Sequence, residues 1–511
     1  DRQALAQRDI PLSDATFDAL DNELQNIYAA LTQPTEYLHV SWPAGDLAGS
    51  QLRPSFVVER IRRLFPSVPV TRETGDYRLL TPAGALEAAG EHPGGALWQS
   101  FAQSGRWGAA LETMRRARSF DRGRLSPEAV RALYGSSYRM SASRMDKLRS
   151  CHFGYFMQYG LCAKERKAAG FDAPEIGTFL HYLLENVNRE VKARGGYGAV
   201  ERAALRGLVR QYLEKYSEEQ LGGCREKSAR FRYLFSRLRT TAYAIVENVV
   251  DELSQSDFVP LEFELGFGGR DGQLPAITIR EGESTLAVTG KVDRVDGWLR
   301  DGKLYIRVVD YKTGKKSFDL TDLRYGLGVQ MLLYLFALEG EGERYFGHPV
   351  VPAGVLYTPA RDVILRTERG ATEEKIRAAL DKELRRSGMV LAEPEVLQAM
   401  EHSALEKPCF LPIEVKKGGT ITGGLASAAQ LGKLGQYVER LLHEITDELS
   451  SGNINADPCS RSPQESSCDW CEYASACCFE EGRDRRRMMK KVRDSEFWRF
   501  IEQETEEVRH G

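Results

Sequence analysis

Apolar positions along the chain follow two different periods, and the alternation between them predicts a mixed α/β protein. Leu20, Leu24, Ile27, Tyr28 and Leu31 recur at helical spacing, and residues 37–42 then alternate as a strand does. Residues 116–135 are polar and turn-rich and read as a linker. Ser141 is a residue of the N-cap type and opens a helix expected to run past Cys151. Residues 174–194 are helically spaced, as are residues 229–254, where Phe231, Leu234, Leu238, Ala242, Ile245 and Val249 make one stripe. Strand patterns follow at 261–267, 286–298 and 304–311. Residues 327–338 read as an apolar helix and 350–357 as a further strand. Residues 415–426 read as a mobile Gly-, Lys- and Thr-rich loop, and 428–449 as a helix. The order helix, three strands, helix, strand predicts helices flanking one central mixed sheet.

Composition narrows the function classes. A chain of 511 residues holds on the order of three domains. With a net charge of −3 there is no global basic signature, so any nucleic-acid contact must use local positive channels. No run approaches the roughly 18 to 20 apolar residues of a membrane span. The chain opens at Asp1 in what reads as domain interior, which predicts a portion of a longer protein. Its nine cysteines are an odd number, and Cys459, Cys468, Cys471, Cys477 and Cys478 crowd together near the end. That clustering favours a metal site in a reducing, cytoplasmic compartment over a disulfide framework.

The candidate chemistry lies at strand ends. Asp310 and Lys312 close the run from Ile306, and residues two apart on a strand share a face. A carboxylate to hold a hard cation, with an ammonium to orient water and offset phosphorane charge, suits phosphodiester hydrolysis. Such a pair also occurs as a plain strand-end ion pair. Asp293 ends the preceding strand, and hairpin pairing can bring it beside Asp310. His181, one helical turn beyond Gly177, can add a third ligand. Gln330 and Tyr334 share one face of the next helix. Cys468, Cys471 and Cys477 form a Cys-x2-Cys-x5-Cys run, with Cys151 far upstream. Four thiolates suit zinc and iron–sulfur alike. The basic run from Asp484 to Arg493 reads as a solvated helix face.

The order His181, Asp293, Asp310-x-Lys312, Gln330-x3-Tyr334 resembles the RecB-type branch of the PD-(D/E)XK nucleases. The four cysteines narrow the likeness to the B subunits of the AddAB helicase–nucleases. This resemblance implies a Mg²⁺-dependent DNA exonuclease, with His181, Asp293 and Asp310 as metal ligands and Lys312 as the catalytic lysine. It implies that Gln330 and Tyr334 line the DNA channel, and that Cys151, Cys468, Cys471 and Cys477 hold a 4Fe–4S cluster. A staple closing a loop of roughly 300 residues restricts the unfolded chain by about 5 kcal/mol. The implied partners are DNA ends, the unwound strand and the A subunit of a heterodimer, with no membrane. Residues around Thr32 resemble the last motif of UvrD-like superfamily 1 helicases, with Gln33 where an arginine would contact ATP. The expected division is thus 1–130, an inactivated helicase-like remnant with linker, and 137–511, the nuclease domain. Two other readings are a stand-alone iron–sulfur nuclease of the CRISPR-associated type and a DNA-binding scaffold without catalysis.

Overall fold

The computed structural model describes Gln7 and residues 16–507. The stretches 47–49, 73–75, 119–121, 165–172, 222–228, 269–271, 315–316 and 463, and four positions between 364 and 369, lie outside the described residues. The chain divides into two compact units, Asp1–Ser119 and Phe120–Gly511.

The first unit is helical among its described residues, with helices at Thr16–Thr32, Phe56–Leu64, Pro82–Glu91, Ala96–Gln103 and Gly108–Arg118. The strand expected at 37–42 does not form. These residues have no regular structure, and Tyr37 is 89% exposed. Alternation alone makes no strand without a neighbour to complete its hydrogen-bond ladder.

Among its described residues the second unit carries a six-stranded main sheet, a three-stranded sheet, a two-stranded ribbon and a second three-stranded sheet that belongs to a small cysteine-bearing subdomain. Its strands are β1 (Ser137–Met140), β2 (Val259–Phe267), β3 (Ile277–Glu281), β4 (Ser284–Val288), β5 (Gly290–Arg300), β6 (Lys303–Lys312), β7 (Val350–Pro359), β8 (Ser387–Leu391), β9 (Ile413–Val415), β10 (Ile421–Gly423), β11 (Leu425–Ala426), β12 (Cys459–Ser462), β13 (Glu465–Ser466) and β14 (Arg487–Met488). The main sheet has the order β11-β8-β7-β6-β5-β2. β2, β5 and β6 are antiparallel neighbours, whereas β6 and β7 run parallel. A parallel pair needs a long crossover, supplied here by the apolar helix Gln330–Phe346. β6 is buried along nearly its whole length, as expected of a central strand covered on both faces.

Five helices matter for the site: α1 (Ala142–Ser150), α2 (Ala173–Ala193), α3 (Ala229–Ser254), α4 (Gln330–Phe346) and α5 (Ala428–Ser450). Ser141 caps α1 by accepting from the Arg144 amide. Ser427 and Gln430 form a reciprocal capping box on α5. On α3, Ala242, Ile245 and Val249 of the expected stripe are buried. Phe231 and Leu234 lie outside the residues whose side chains are described.

Four local expectations need correction. α1 stops at Ser150 rather than passing Cys151, whose backbone is extended at φ −171°. The strand expected over 286–298 is two, β4 and β5, which belong to different sheets. The linker expected at 116–135 contains the helix Pro127–Tyr134, capped by Ser126 with Pro at its first position, a start signal that resembles a turn. Residues 415–426 are no open loop. β10 pairs with β9, and β11 adds to the edge of the main sheet. The glycines there serve close approach: a Cβ on Gly424 would sit 2.1 Å from the Gly388 carbonyl oxygen.

Candidate nuclease site

β5 and β6 pair with Arg294 opposite Val309, which brings Asp293 and the Asp310–Tyr311 segment together. The Asp293 carboxylate accepts the Tyr311 amide hydrogen at 2.8 Å. Lys312 Nζ lies 2.6 Å from Asp310 Oδ2, so the two share a face as strand alternation requires. α2 delivers His181, whose Nδ1 is 3.3 Å from Asp293 and whose Nε2 donates to the Tyr311 carbonyl at 3.1 Å.

Glu264 completes the cluster and was not apparent from the sequence. It stands on β2 with a left-handed backbone, φ 55°, and its carboxylate approaches His181 Nδ1 at 3.9 Å and Lys291 at 3.2 Å. Ligand atoms of His181, Glu264 and Asp293 all lie within 4.8 Å of one another. A pair of glutamates in an otherwise apolar strand, Leu261-Glu262-Phe263-Glu264-Leu265, was the only signal on offer, and alternation sends both to the same face.

Charge is unbalanced at this point. Burial and the Asp293 carboxylate push Asp310 up to about 6, outweighing Lys312 and His181. Burial and Asp293 also raise Glu264. Burial disfavours a charged His181, yet Asp293, with Glu264 and Asp310 beyond it, carries its pKa up to about 9. Three carboxylates sharing one partly buried pocket, with a histidine that can ligate once it gives up its proton, form a donor set suited to a hard divalent cation.

Gln330 and Tyr334 stand on α4 as the spacing requires, but Tyr334 is only 3% exposed. Its ring stacks on Phe267 with centroids 5.4 Å apart. A Cβ on Gly290 would meet the Tyr334 hydroxyl at 2.0 Å, so glycine at 290 is what lets this helix close on β5. In this arrangement Tyr334 packs against the strand bearing Asp293, and Gln330 is half-buried.

The cysteine segments meet through the chain itself. Ser467 Oγ donates to the Ser150 carbonyl at 3.2 Å, a pair 317 residues apart and adjacent to Cys468 and Cys151. The Phe153 amide donates to Asn455, and the His152 amide to Asp457. Cys151, Cys468, Cys471 and Cys477 are all half-buried. Burial pushes the Cys151 thiol up to about 11, and it raises Cys477 as well, with Cys468 and Cys471 adding to the latter effect. The buried Cys459 thiol donates to the Arg149 carbonyl. Arg122, which no sequence pattern singled out, donates to the Cys477 carbonyl at 2.6 Å and pairs with Asp484. The basic run beyond it is not a helix face: residues 487–488 form β14, and Arg487 is spent on the Asp457 and Arg149 carbonyls.

Residues 139–478 match the family description of the PD-(D/E)XK nuclease superfamily. The chain is also similar to proteins named as the B subunit of an ATP-dependent helicase/deoxyribonuclease. It is 32% identical to that of Acetivibrio thermocellus over 99% of the chain, and 29% identical to those of Clostridium acetobutylicum and Ruminiclostridium cellulolyticum over 99% and 98%. In each case it spans 46% of the relative's length. On the strength of the match from 139 to 478, the chain belongs to the PD-(D/E)XK nuclease superfamily.

Proposed function

We propose that this chain is the nuclease-bearing portion of the B subunit of an ATP-dependent helicase–deoxyribonuclease. It would cut one unwound strand during the resection of double-strand DNA ends for recombinational repair, in the cytoplasm and beside an A subunit. The observation that carries the reading is the convergence of His181, Glu264 and Asp293 within 4.8 Å, next to the Asp310–Lys312 pair.

The donor set fits Mg²⁺, since Asp310 Oδ2 is sealed from solvent with the Lys312 ammonium beside it, and burial together with the Asp293 carboxylate raises the Asp310 pKa. His181, Asp293 and Asp310 would hold the cation, with Glu264 beside them. A bound divalent cation supplies Lewis-acid polarisation of the phosphate and acidifies water. The chain's own groups do the rest. Lys312 gives up its pairing with Asp310, orients the attacking water and offsets charge on the phosphorane oxygens. The Asp293 carboxylate fixes the Tyr311 amide and so holds the end of β6 in register. Tyr334, packed on Gly290 and Phe267, keeps the Asp293 strand in place.

Cys151, Cys468, Cys471 and Cys477 fit a 4Fe–4S cluster as a structural staple: the segments bearing the first two are joined at Ser150–Ser467, and all four residues are partly shielded from bulk water. The first unit, with its helix Thr16–Thr32 ending beside Gln33, is read as part of an ATPase-deficient helicase-like fold. The deciding experiment is cleavage of a single-stranded oligonucleotide with Mg²⁺, with iron and sulfide measured on the same sample. Asp310→Ala is expected to lower the rate by on the order of a thousandfold while iron and sulfide stay constant. Undiminished cutting by the variant refutes the assignment.

A further inference from the structure

Two hollows flank the end of β6, and they differ in charge. One, of about 500 Å³, is lined by Gly177, Thr178, His181, Tyr182, Glu185 and Glu264. The other, of about 320 Å³, lies on the side of β7 and β8; its lining includes Lys312, Gly314, Ser317, Tyr357, Arg361 and Arg385. Two carboxylates line the first. Three cations line the second, against the single carboxylate of Glu383.

Those cations are not equally spent. Arg361 pairs with Glu383 at 2.9 Å, and Lys312 pairs with Asp310. Arg385 is held differently. Its Nη2 donates to the Pro408 carbonyl at 3.2 Å and its Nη1 to the Ile413 carbonyl at 3.5 Å. Its Nε is buried without a hydrogen-bond partner. Glu414, its carboxylate neighbour at 3.7 Å, is largely exposed, where solvent screens the pair. Main-chain carbonyls orient a guanidinium without cancelling its charge. Arg385 is thus a fixed, weakly neutralised cation on a cavity that Lys312 also lines.

We propose that this basic cavity is a phosphate subsite, holding the phosphodiester next to the scissile one on single-stranded DNA, with Arg385 as its anchor and Arg361 as a second donor. The inference rests on the nuclease reading above. Shared lining by Lys312 places the cavity beside the bond to be cut. The acid-lined hollow repels a second phosphate, so the strand is held from the basic side only, and the opposite side is left for the cation and water.

The test uses the intact protein and an oligonucleotide whose phosphate next to the cleaved bond is, or is not, an uncharged methylphosphonate. Binding is read by fluorescence anisotropy without added metal, and cleavage is read with Mg²⁺. Arg385→Gln and, independently, Ser317→Asp, an exposed position that places negative charge in the cavity, should each weaken binding about tenfold. They should raise KM rather than lower kcat, and reduce the slope of log affinity against log salt by about 0.7. The methylphosphonate should weaken binding to the natural protein and add little in either variant. Unchanged binding and salt slope in Ser317→Asp, whose fold the surface change does not threaten, overturn the subsite. A natural protein that binds the strand but never cuts it overturns the nuclease reading and leaves the subsite standing.

Discussion

Adjacent residues on β5 and β6 build two opposite electrostatic environments. Asp293 and Asp310 belong to the candidate site, where burial and the Asp293 carboxylate push Asp310 up to about 6. Their chain neighbours Arg294 and Tyr311 point to the other face of the sheet and enter a fully buried network of Arg294, Asp296, Arg307, Arg386 and Glu252. There Asp296 receives Arg294 at 2.8 Å and Arg307 at 2.9 Å, and Glu252, from α3, receives Arg386 at 2.6 Å. Burial opposes ionisation of Glu252, yet Arg386, Arg307 and Arg294 hold it down to about 2. Both faces bury carboxylates, and the pKa of Glu252 falls because three guanidinium groups surround it, whereas that of Asp310 rises because burial and the Asp293 carboxylate outweigh Lys312 and His181.

The largest test of this contrast is Glu252→Gln. It leaves three buried arginines against one acid, and the expected loss is about 3 to 5 kcal/mol of stability, read from urea unfolding followed by circular dichroism. A loss below about 1 kcal/mol would mean that Glu252 is not what offsets the buried charge of Arg307 and Arg386. Next is Tyr311→Phe, which removes the acceptor for Arg294 Nη1 at 3.0 Å. It should cost about 2 kcal/mol and, because the Tyr311 main chain contacts both Asp293 and His181, it should also weaken Mn²⁺ binding in calorimetry. Equal Mn²⁺ affinity in this variant would show that the two faces are independent. The smallest effect is a pH slope. The His181 pKa is raised above its ordinary value, so its ion pair stabilises the metal-free fold fully below about pH 6.5 and that contribution fades as pH rises through about 9. A cation must displace this proton, so Mn²⁺ affinity should rise by up to about tenfold per pH unit over that window. A flat profile breaks the assignment of His181 as a ligand.

Much of this was readable from residue order. Period-3.6 and period-2 stretches located α2, α4, α5, β2, β6 and β7, because long amphipathic or continuously apolar runs have few alternative ways to bury themselves. The Asp310–Lys312 pairing follows from strand alternation alone. Glu264 was missed because its role depends on β2 lying beside β5, a pairing that no local pattern encodes. Arg122, Arg385 and the arginine network were missed for the same reason, as their partners lie on distant segments. The 37–42 and 415–426 readings failed in opposite directions. The first had strand periodicity without a partner, and the second had glycine-rich composition that serves close packing at Gly388 and Gly424.

By itself, the sequence determined the kinds of chemistry available and their spacing along each element: a histidine on a helix, acids at strand ends, an ammonium two residues on, and four thiols in two widely separated groups. Only the tertiary structure decided which of these groups meet and what charge surrounds them. It set Glu264 against His181, closed Ser467 on Ser150, buried Tyr334 against Gly290, and left Arg385 fixed beside Lys312. The physical reason is range. Backbone periodicity is enforced over a few residues, whereas desolvation and Coulomb interaction depend on neighbours that the fold alone brings together.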